Sequence, residues 1–377
     1  GGSSRGMLAA VDELARLAEI HSLDYIAAVD TDYMAPHFPG DDKKYIYIGT
    51  VGKILPFFYI YGKETHVGQA FEGLDANLLA AEILSEIDLN FDLCDVVENE
   101  VTVPPISLSM RDLKAEYSVQ TVNEAYVYFN YSTHSSQPND VLAKMKVSAE
   151  EAFQNALDKL NHEYERYCQA AGAPYKRLPW EVQVLTFEEL YAAVKAEVGD
   201  SIDESLEKLK QGLLQDKPDD RVYSLEVVRE LHRHWSNKNP AVILFYAPPY
   251  YPHIYVKGED ENEKRLLAAV DEAVEQVSAG SPHKFEVKKF YPYISDLSYC
   301  SISHKPEAIN ALVNNMPGWN EIYSLPVESI RKLNVPVVNI GPWGKDAHKF
   351  TERVNIPYSF EVMPEILENT VELLLSK

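Results

Sequence analysis

The segment of this sequence richest in possible chemistry is Asn339-Ile-Gly-Pro-Trp-Gly-Lys-Asp-Ala-His348-Lys-Phe-Thr-Glu352. A short apolar run, Pro336 to Ile340, gives way to a loop with two glycines, where a backbone can come close to a ligand. His348 and Glu352 follow. A neutral imidazole is the commonest metal ligand, and Asp346 is placed to orient its ring. The same pattern equally suits a polar turn whose histidine bonds a main-chain carbonyl. Asp30 ends another apolar run, Tyr25 to Val29, and is followed by Thr31 and Asp32. Open α/β sheets place their sites at the carboxyl ends of strands, so Asp30 either binds a metal or caps the next turn. His66 stands in the loop Gly62-Lys-Glu-Thr-His66-Val-Gly68. There it either presents an N–H to a developing oxyanion or is a plain surface residue.

Other tempting residues read as structural. His232 and His234 are two apart in a helical stretch, Leu225 to Trp235, so they point to different faces. The aromatic cluster Tyr246 to Tyr255 reads as packing at a strand edge, with prolines limiting its pairing. No P-loop, dinucleotide fingerprint, nucleophile elbow or HExxH occurs.

The elements that must position these residues follow from periodicity. Met7, Leu8, Val11, Leu14, Leu17 and Ala18 share one face of a first helix, capped by Ser3 or Ser4. Tyr25–Val29 reads as a strand covered on both faces. Strands are predicted over 44–50, 54–61, 125–131, 241–246, 284–290 and 336–340, and helices over 75–87, 140–168, 263–277 and 363–375. The stretch from about 170 to 239 is mostly helical, broken by Pro179 and Pro218, and reads as an insertion with its own small packing surface.

Composition bounds the function. The 377 residues are 46% hydrophobic and 25% charged, as in a globular core with a solvated surface, and leave room for two or three domains. A net charge of −23 argues against nucleic acid and anionic membranes as partners. Three scattered cysteines suit a reducing cytoplasm and offer no thiolate metal site. No apolar run reaches the roughly 18 residues of a membrane span, so the expected location is cytoplasmic. Gly1-Gly2-Ser3-Ser4 looks like a cut end.

Taken in this order, the segments resemble the two-zinc metallopeptidase family (clan MH) of aminoacylase, glutamate carboxypeptidase and succinyl-diaminopimelate desuccinylase. The loop 62–68 with Glu72-Gly-Leu-Asp-Ala-Asn77 is similar to the start of that family's lid. Gly341-Pro342 with His348 and Glu352 resembles its closing metal motif, and Ile294–Tyr299 with Asp296 resembles the return to its catalytic domain. Thr31-Asp32-Tyr33, Pro248-Pro-Tyr-Tyr-Pro-His253 and Gly344–Arg353 look like a bacterial arginine-utilisation branch. The resemblance implies an α/β fold: a zinc-exopeptidase-like mixed sheet flanked by helices, with an inserted ferredoxin-like α+β lid and dimerisation domain. It divides the chain into 1–50, part of a catalytic domain; 51–256, the lid with the insertion at about 170–239; and 257–377, the second catalytic segment.

The resemblance also implies roles. Asp30 would bind one zinc, His348 the other, and His66 would be the lid histidine that reaches the partner's site. Asp346, Glu352 and Asp296 are supporting or substrate-contacting candidates. Two zincs sharing a water would hydrolyse the amide bond of an N-acyl amino acid or small peptide, in a homodimer joined through the lid. The family's histidine-x-aspartate motif, bridging aspartate and glutamate pair do not occur here, and its aspartate-x-arginine is replaced by Asn130-Tyr131-Ser132. The expectation is therefore a truncated chain that binds zinc weakly or not at all and is inactive alone. The alternative is a non-catalytic binding or oligomerisation module on the same fold.

Overall fold

Residues 4–376 are described by the computed structural model; Ser3, one of the two expected caps, lies outside them. The chain opens with α1 (Arg5–His21), β1 (Ala28–Asp30), β2 (Lys44–Tyr47) and β3 (Gly52–Tyr61). Then come α2 (Ala76–Ile87), β4 (Ile106–Asp112), β5 (Glu124–Thr133) and the long α3 (Pro138–Ala171). A short β6 (Val184–Thr186) precedes α4 (Phe187–Val198), α5 (Ser201–Asp216) and α6 (Asp220–His234), and β7 (Ala241–Tyr251) follows. The last part holds α7 (Glu261–Ser278), β8 (Phe285–Lys288), α8 (Pro306–Asn314), α9 (Val327–Leu333), β9 (Val337–Asn339) and α10 (Met363–Ser376). No helix among the described residues is long and apolar enough to cross a membrane.

The larger sheet has the order β4-β5-β3-β7-β6. Its β4–β5, β5–β3 and β3–β7 pairs are antiparallel, and β6 joins β7 in parallel. Without β6, the chain order β3-α2-β4-β5-α3-β7 with this strand order is a ferredoxin-like split β-α-β. Its two ends meet: Gly49 and Thr50, just before β3, pair antiparallel with Tyr255 and Ile254, just after β7.

Period-2 geometry explains why β3 shows little alternation. Ile54, Phe58 and Ile60 pack with α2 and α3 residues such as Leu79, Ile83, Met145 and Phe153. Phe57 and Tyr59 pack on the opposite face with Leu190 and Val194 of α4, Ile202 of α5 and Val228 of α6. Both faces are covered, so every second residue is apolar on either side. Burial of each such large side chain contributes roughly 1.5–3 kcal/mol. The helices within 170–239 therefore have no separate packing surface, contrary to expectation: they cover the second face of the inserted sheet.

The smaller sheet is mixed, with order β1-β9-β2-β8: β1–β9 and β2–β8 are parallel, and β9–β2 antiparallel. Helices α7 and α10 supply Leu266, Val270, Ile366 and Leu374 against Ile46 and Val338 on one face. Cys300, Leu297, Ile254 and Val256 pack with Val337 on the other. Here β1 is shorter than expected, sits at the sheet edge and is only half-buried. Ser4 makes no side-chain cap on α1; its hydroxyl instead lies 3.1 Å from the Tyr251 hydroxyl.

Candidate active site

The parallel strands β1 and β9 end side by side, with Asp30 opposite Asn339 in register. The Ile340 N–H donates to the Asp30 carbonyl (2.9 Å), and the two chains stay together beyond it: Met34 pairs in parallel with Trp343, its N–H donating to the Pro342 carbonyl and its carbonyl accepting from the Gly344 N–H (2.9 Å each). Beside this junction lies a cleft of about 980 Å³ lined by Asp30, Asp32, Asp296, His348, Cys300 and the rings of Tyr33, Tyr251, Tyr291 and Tyr293, among others. The mouth lies where an open α/β sheet places a site, beyond the carboxyl ends of strands.

Side-chain and main-chain bonds hold the loop that carries the acids. The Asn339 amide clasps Asp32: its Oδ1 accepts from the Asp32 N–H (2.7 Å), and its Nδ2 donates to the Asp32 carbonyl (3.0 Å). The Tyr291 hydroxyl donates to the Tyr33 carbonyl (2.6 Å). Asp30 accepts from the Thr31 N–H (2.7 Å) through Oδ1 and from the Ser295 hydroxyl (3.2 Å) through Oδ2. Asp30 thus braces its own turn and also lines the cleft.

Asp32 is the cleft's notable acid. Burial raises its pKa, the bond from the Tyr33 N–H (2.7 Å) opposes the rise, and the negative charges of Asp30 and Asp296 add to it. A carboxyl held above its usual range is suited to take or give a proton. Cys300 is not a nucleophile at neutral pH, because burial, with Asp30 and Asp296 nearby, pushes its thiol up to about 12.

The other sequence candidates divide. Asp296 lines the same cleft at the start of the turn Asp296–Tyr299. His348 also lines it, exposed and with a left-handed backbone (φ 65°), its N–H donating to Glu352 Oε2 (3.2 Å). Glu352 thus holds the His348 main chain. The Asp346 carboxylate is engaged by Arg353 and by the Thr351 hydroxyl (3.0 Å) rather than by the His348 ring. His66 does not line the cleft: it is exposed, and its Nδ1 accepts from the Gly68 N–H (3.0 Å). His37 stacks on Tyr45 (4.2 Å) and bonds the Tyr47 hydroxyl (2.9 Å). As their spacing implied, His232 is buried near Tyr61, whereas His234 faces Ser205 and Glu230.

A metal needs three or four protein ligands to be held tightly. Among the described residues, no group of three or more His, Cys, Asp or Glu side chains is arranged to hold one. Both Asp30 oxygens already accept hydrogen bonds. The side chains of this chain alone therefore do not fit a two-metal centre. Tyr33 was legible only as part of the motif Thr31-Asp32-Tyr33, and Tyr291 and Tyr293 carry no sequence signal of a site.

No protein-family model matches the chain. Among solved structures, the chain is similar to aminopeptidase PepT of Bacillus cereus, with a TM-score of 0.43 and 9% identity over 96% of this chain and 58% of that one. A Staphylococcus aureus tripeptidase gives 0.44 and 11% over 96% and 61%. The Bacillus subtilis YXEP protein, a dinuclear metal-binding peptidase of the M20 family, gives 0.37 and 10% over 96% and 60%. Among curated proteins of Bacillus subtilis (strain 168), Protein RocB is 37% identical over 370 residues, covering 98% of this chain and 65% of its own length. The uncharacterized protein YqjN is 34% identical over 380 residues, covering 100% of this chain and 67% of its own length. The chain thus spans about two thirds of the length of these relatives. It belongs to the family of RocB and YqjN.

Proposed function

We propose that this family comprises metal-dependent hydrolases of amide bonds, and that this chain supplies the substrate-facing wall of the site rather than a complete metal centre. The observation that carries the reading is the convergence of Asp30, Asp32, Asp296 and His348 in one cleft beyond two parallel strand ends. In this reading the remaining zinc ligands belong to the third of the relatives' length that the chain does not span. Asp32 takes part in proton transfer and the tyrosines shape the walls. None of the cleft-lining residues is Lys or Arg. Three carboxylates and four tyrosine rings favour a substrate bearing a guanidinium or ammonium group, which suits an N-acyl amino acid or small peptide used in arginine utilisation.

The lid role and the dimer belong to the same proposal. Strand β4 is the free edge of the inserted sheet, with Ile106, Leu108 and Met110 37%, 48% and 41% exposed. An edge of this kind invites pairing with a second copy. His66 then acts across that dimer: His66→Ala in the full-length protein lowers turnover and leaves bound zinc unchanged, and loss of zinc would remove it from this role. The test of the function is hydrolysis of N-acetyl-arginine and of small arginine peptides by a full-length relative, with and without a chelator. Chelator-sensitive hydrolysis supports the reading, and its absence across both substrate types sinks it. A second reading, a binding or oligomerisation module, draws on the lack of a three-ligand group among the described residues.

A further inference from the structure

The side chain of Lys53, on β3, is half-buried and makes no hydrogen bond or ion pair among the described residues. Three other partly buried cations here are provided for. Arg229 is held by Glu124 and Glu226, Lys210 by Glu321, and the Lys44 ammonium lies over the Trp343 ring and donates to the Asp42 carbonyl. Acids are not scarce in this chain, 58 against 35 bases. An ammonium taken partly out of water without a counter-charge is costly, so its environment calls for a reason.

Lys53 is two and four residues from Leu55 and Phe57 along β3, so strand periodicity puts it on the face that α4–α6 cover. Its register partners are Ser132 on β5 and Tyr251 on β7. Arg221, in the first turn of α6, reaches back to the same end of that face: its Nη1 donates to the Pro248 carbonyl (3.4 Å). Pro248 lies in β7 between Ala247 and Tyr251, the residues paired with Leu55 and Lys53. Burial, and after it the Arg221 charge, lower the Lys53 pKa. Asp219 takes the other Arg221 nitrogen and caps α6. The neighbouring Asp220 is paired with Arg5 at 3.6 Å, so Lys53 and Arg221 are set against Asp219 alone and a net positive charge is left. The Ser132 hydroxyl accepts from Asn130 Nδ2 (3.4 Å) and keeps its own hydrogen to donate.

We propose that Lys53, Arg221 and the Ser132 hydroxyl bind a small oxyanion, a carboxylate or a phosphate, at this end of the inserted sheet. The ligand would complete the charge balance that Asp219 leaves open, with ammonium and guanidinium supplying charge-assisted hydrogen bonds. Neither Lys53, Arg221 nor Ser132 lines the acidic cleft, although Tyr251, the register partner of Lys53, does, and the proposal does not depend on the hydrolase reading.

The test uses the whole chain. Thermal unfolding is followed in inorganic phosphate, in acetate and in chloride at matched ionic strength, for the unaltered chain and for Lys53→Gln and Arg221→Gln. Phosphate or acetate should raise Tm above the chloride value, with each variant binding about tenfold more weakly. A rise with phosphate alone identifies a phosphate ligand, and a rise with acetate alone a carboxylate. No rise with either anion, or a rise undiminished in both variants, overturns the proposal. Should the variants fail to fold, amine labelling of the unaltered chain decides. Slower modification of Lys53 in the effective anion supports the site, and an unchanged rate refutes it.

Discussion

Asp30 and Ile340 are joined across the ends of two parallel strands, the Ile340 N–H donating to the Asp30 carbonyl at 2.9 Å. That bond ends the regular ladder, and the pairing resumes where Met34 meets Trp343, its N–H donating to the Pro342 carbonyl at 2.9 Å. Beyond it one loop carries Asp32 and Tyr33, and the other carries His348. Residues more than three hundred positions apart are thus placed by the sheet rather than by local sequence.

Gly341 follows immediately, and the Asp32 loop passes so close that a Cβ there would lie 1.6 Å from the Asp32 carbonyl oxygen. The obstruction is backbone, which cannot swing aside. Gly341→Ala should destabilise the chain by about 2–4 kcal/mol and displace Asp32 from the Asn339 clasp. Urea unfolding measures the first effect. A change under about 0.5 kcal/mol would show that the loop yields freely.

His348 is expected to be dispensable for folding. It is exposed, and its left-handed backbone (φ 65°) costs a non-glycine residue about 1 kcal/mol. His348→Gly should therefore unfold at the same denaturant concentration as the unaltered chain or a higher one. Marked destabilisation would mean that the ring has a structural duty instead.

Asp95 should matter more than any cleft acid for stability. Its buried carboxylate accepts from the N–H groups of His134, Ser135 and Ser136 and from the Ser136 hydroxyl, and pairs with Lys144 at 3.5 Å. Burial alone would raise its pKa, but these hydrogen bonds, Ser136 first, outweigh burial and lower it. The folded pKa lies below the unfolded one. Its stabilisation is therefore full above the ordinary carboxylate range and disappears as pH falls through the folded value. Asp95→Ala should cost about 3 kcal/mol near neutral pH, read from denaturant midpoints at pH 7. A loss below about 1 kcal/mol would contradict this account.

A steeper acid dependence should come from histidines. Burial lowers His253 to about 4 and His304 to about 3, with their rings 5.3 Å apart. His253 also faces Asp95, which opposes the shift, and His134 and Lys257, which add to it; His304 faces His253 and Arg331, which add to it. Both are neutral when folded and take up protons when unfolded below about 6.5, so stability falls as pH drops from there toward the folded values. Each contributes a slope of up to about 1.4 kcal/mol per pH unit. Unfolding free energies at pH 7 and pH 5 should differ accordingly, and less so in His253→Gln. Equal pH dependence in that variant would show that other groups set the slope.

Much of the fold was legible because its long elements carry strong periodicity: α1, α3, α7 and α10 repeat every three to four residues, and the apolar run of β3 is unmistakably a strand. Asp75 was read as the first residue of α2 and is its cap, accepting from the Asn77 N–H at 2.9 Å. Strand β4 escaped because its apolar residues face outward, and α8 and α9, nine and seven residues long, are too short for a period to register. The helices of 170–239 were recognisable as helices, but their contact with β3 was not, since two-sided burial leaves no polar face to count. In the cleft, Asp30, Asp296 and His348 were legible through strand ends and family resemblance. Asp32 gained its importance only from three-dimensional crowding with Asp30 and Asp296.

The most direct test of the central claim is the metal content of a full-length relative such as RocB, measured before and after joint replacement of the counterparts of Asp30 and His348. Bound zinc in the unaltered protein that falls sharply in the doubly substituted one is the expected result. A full-length protein without metal, or one whose metal survives both substitutions, would contradict the assignment of this cleft to a metal-dependent hydrolase.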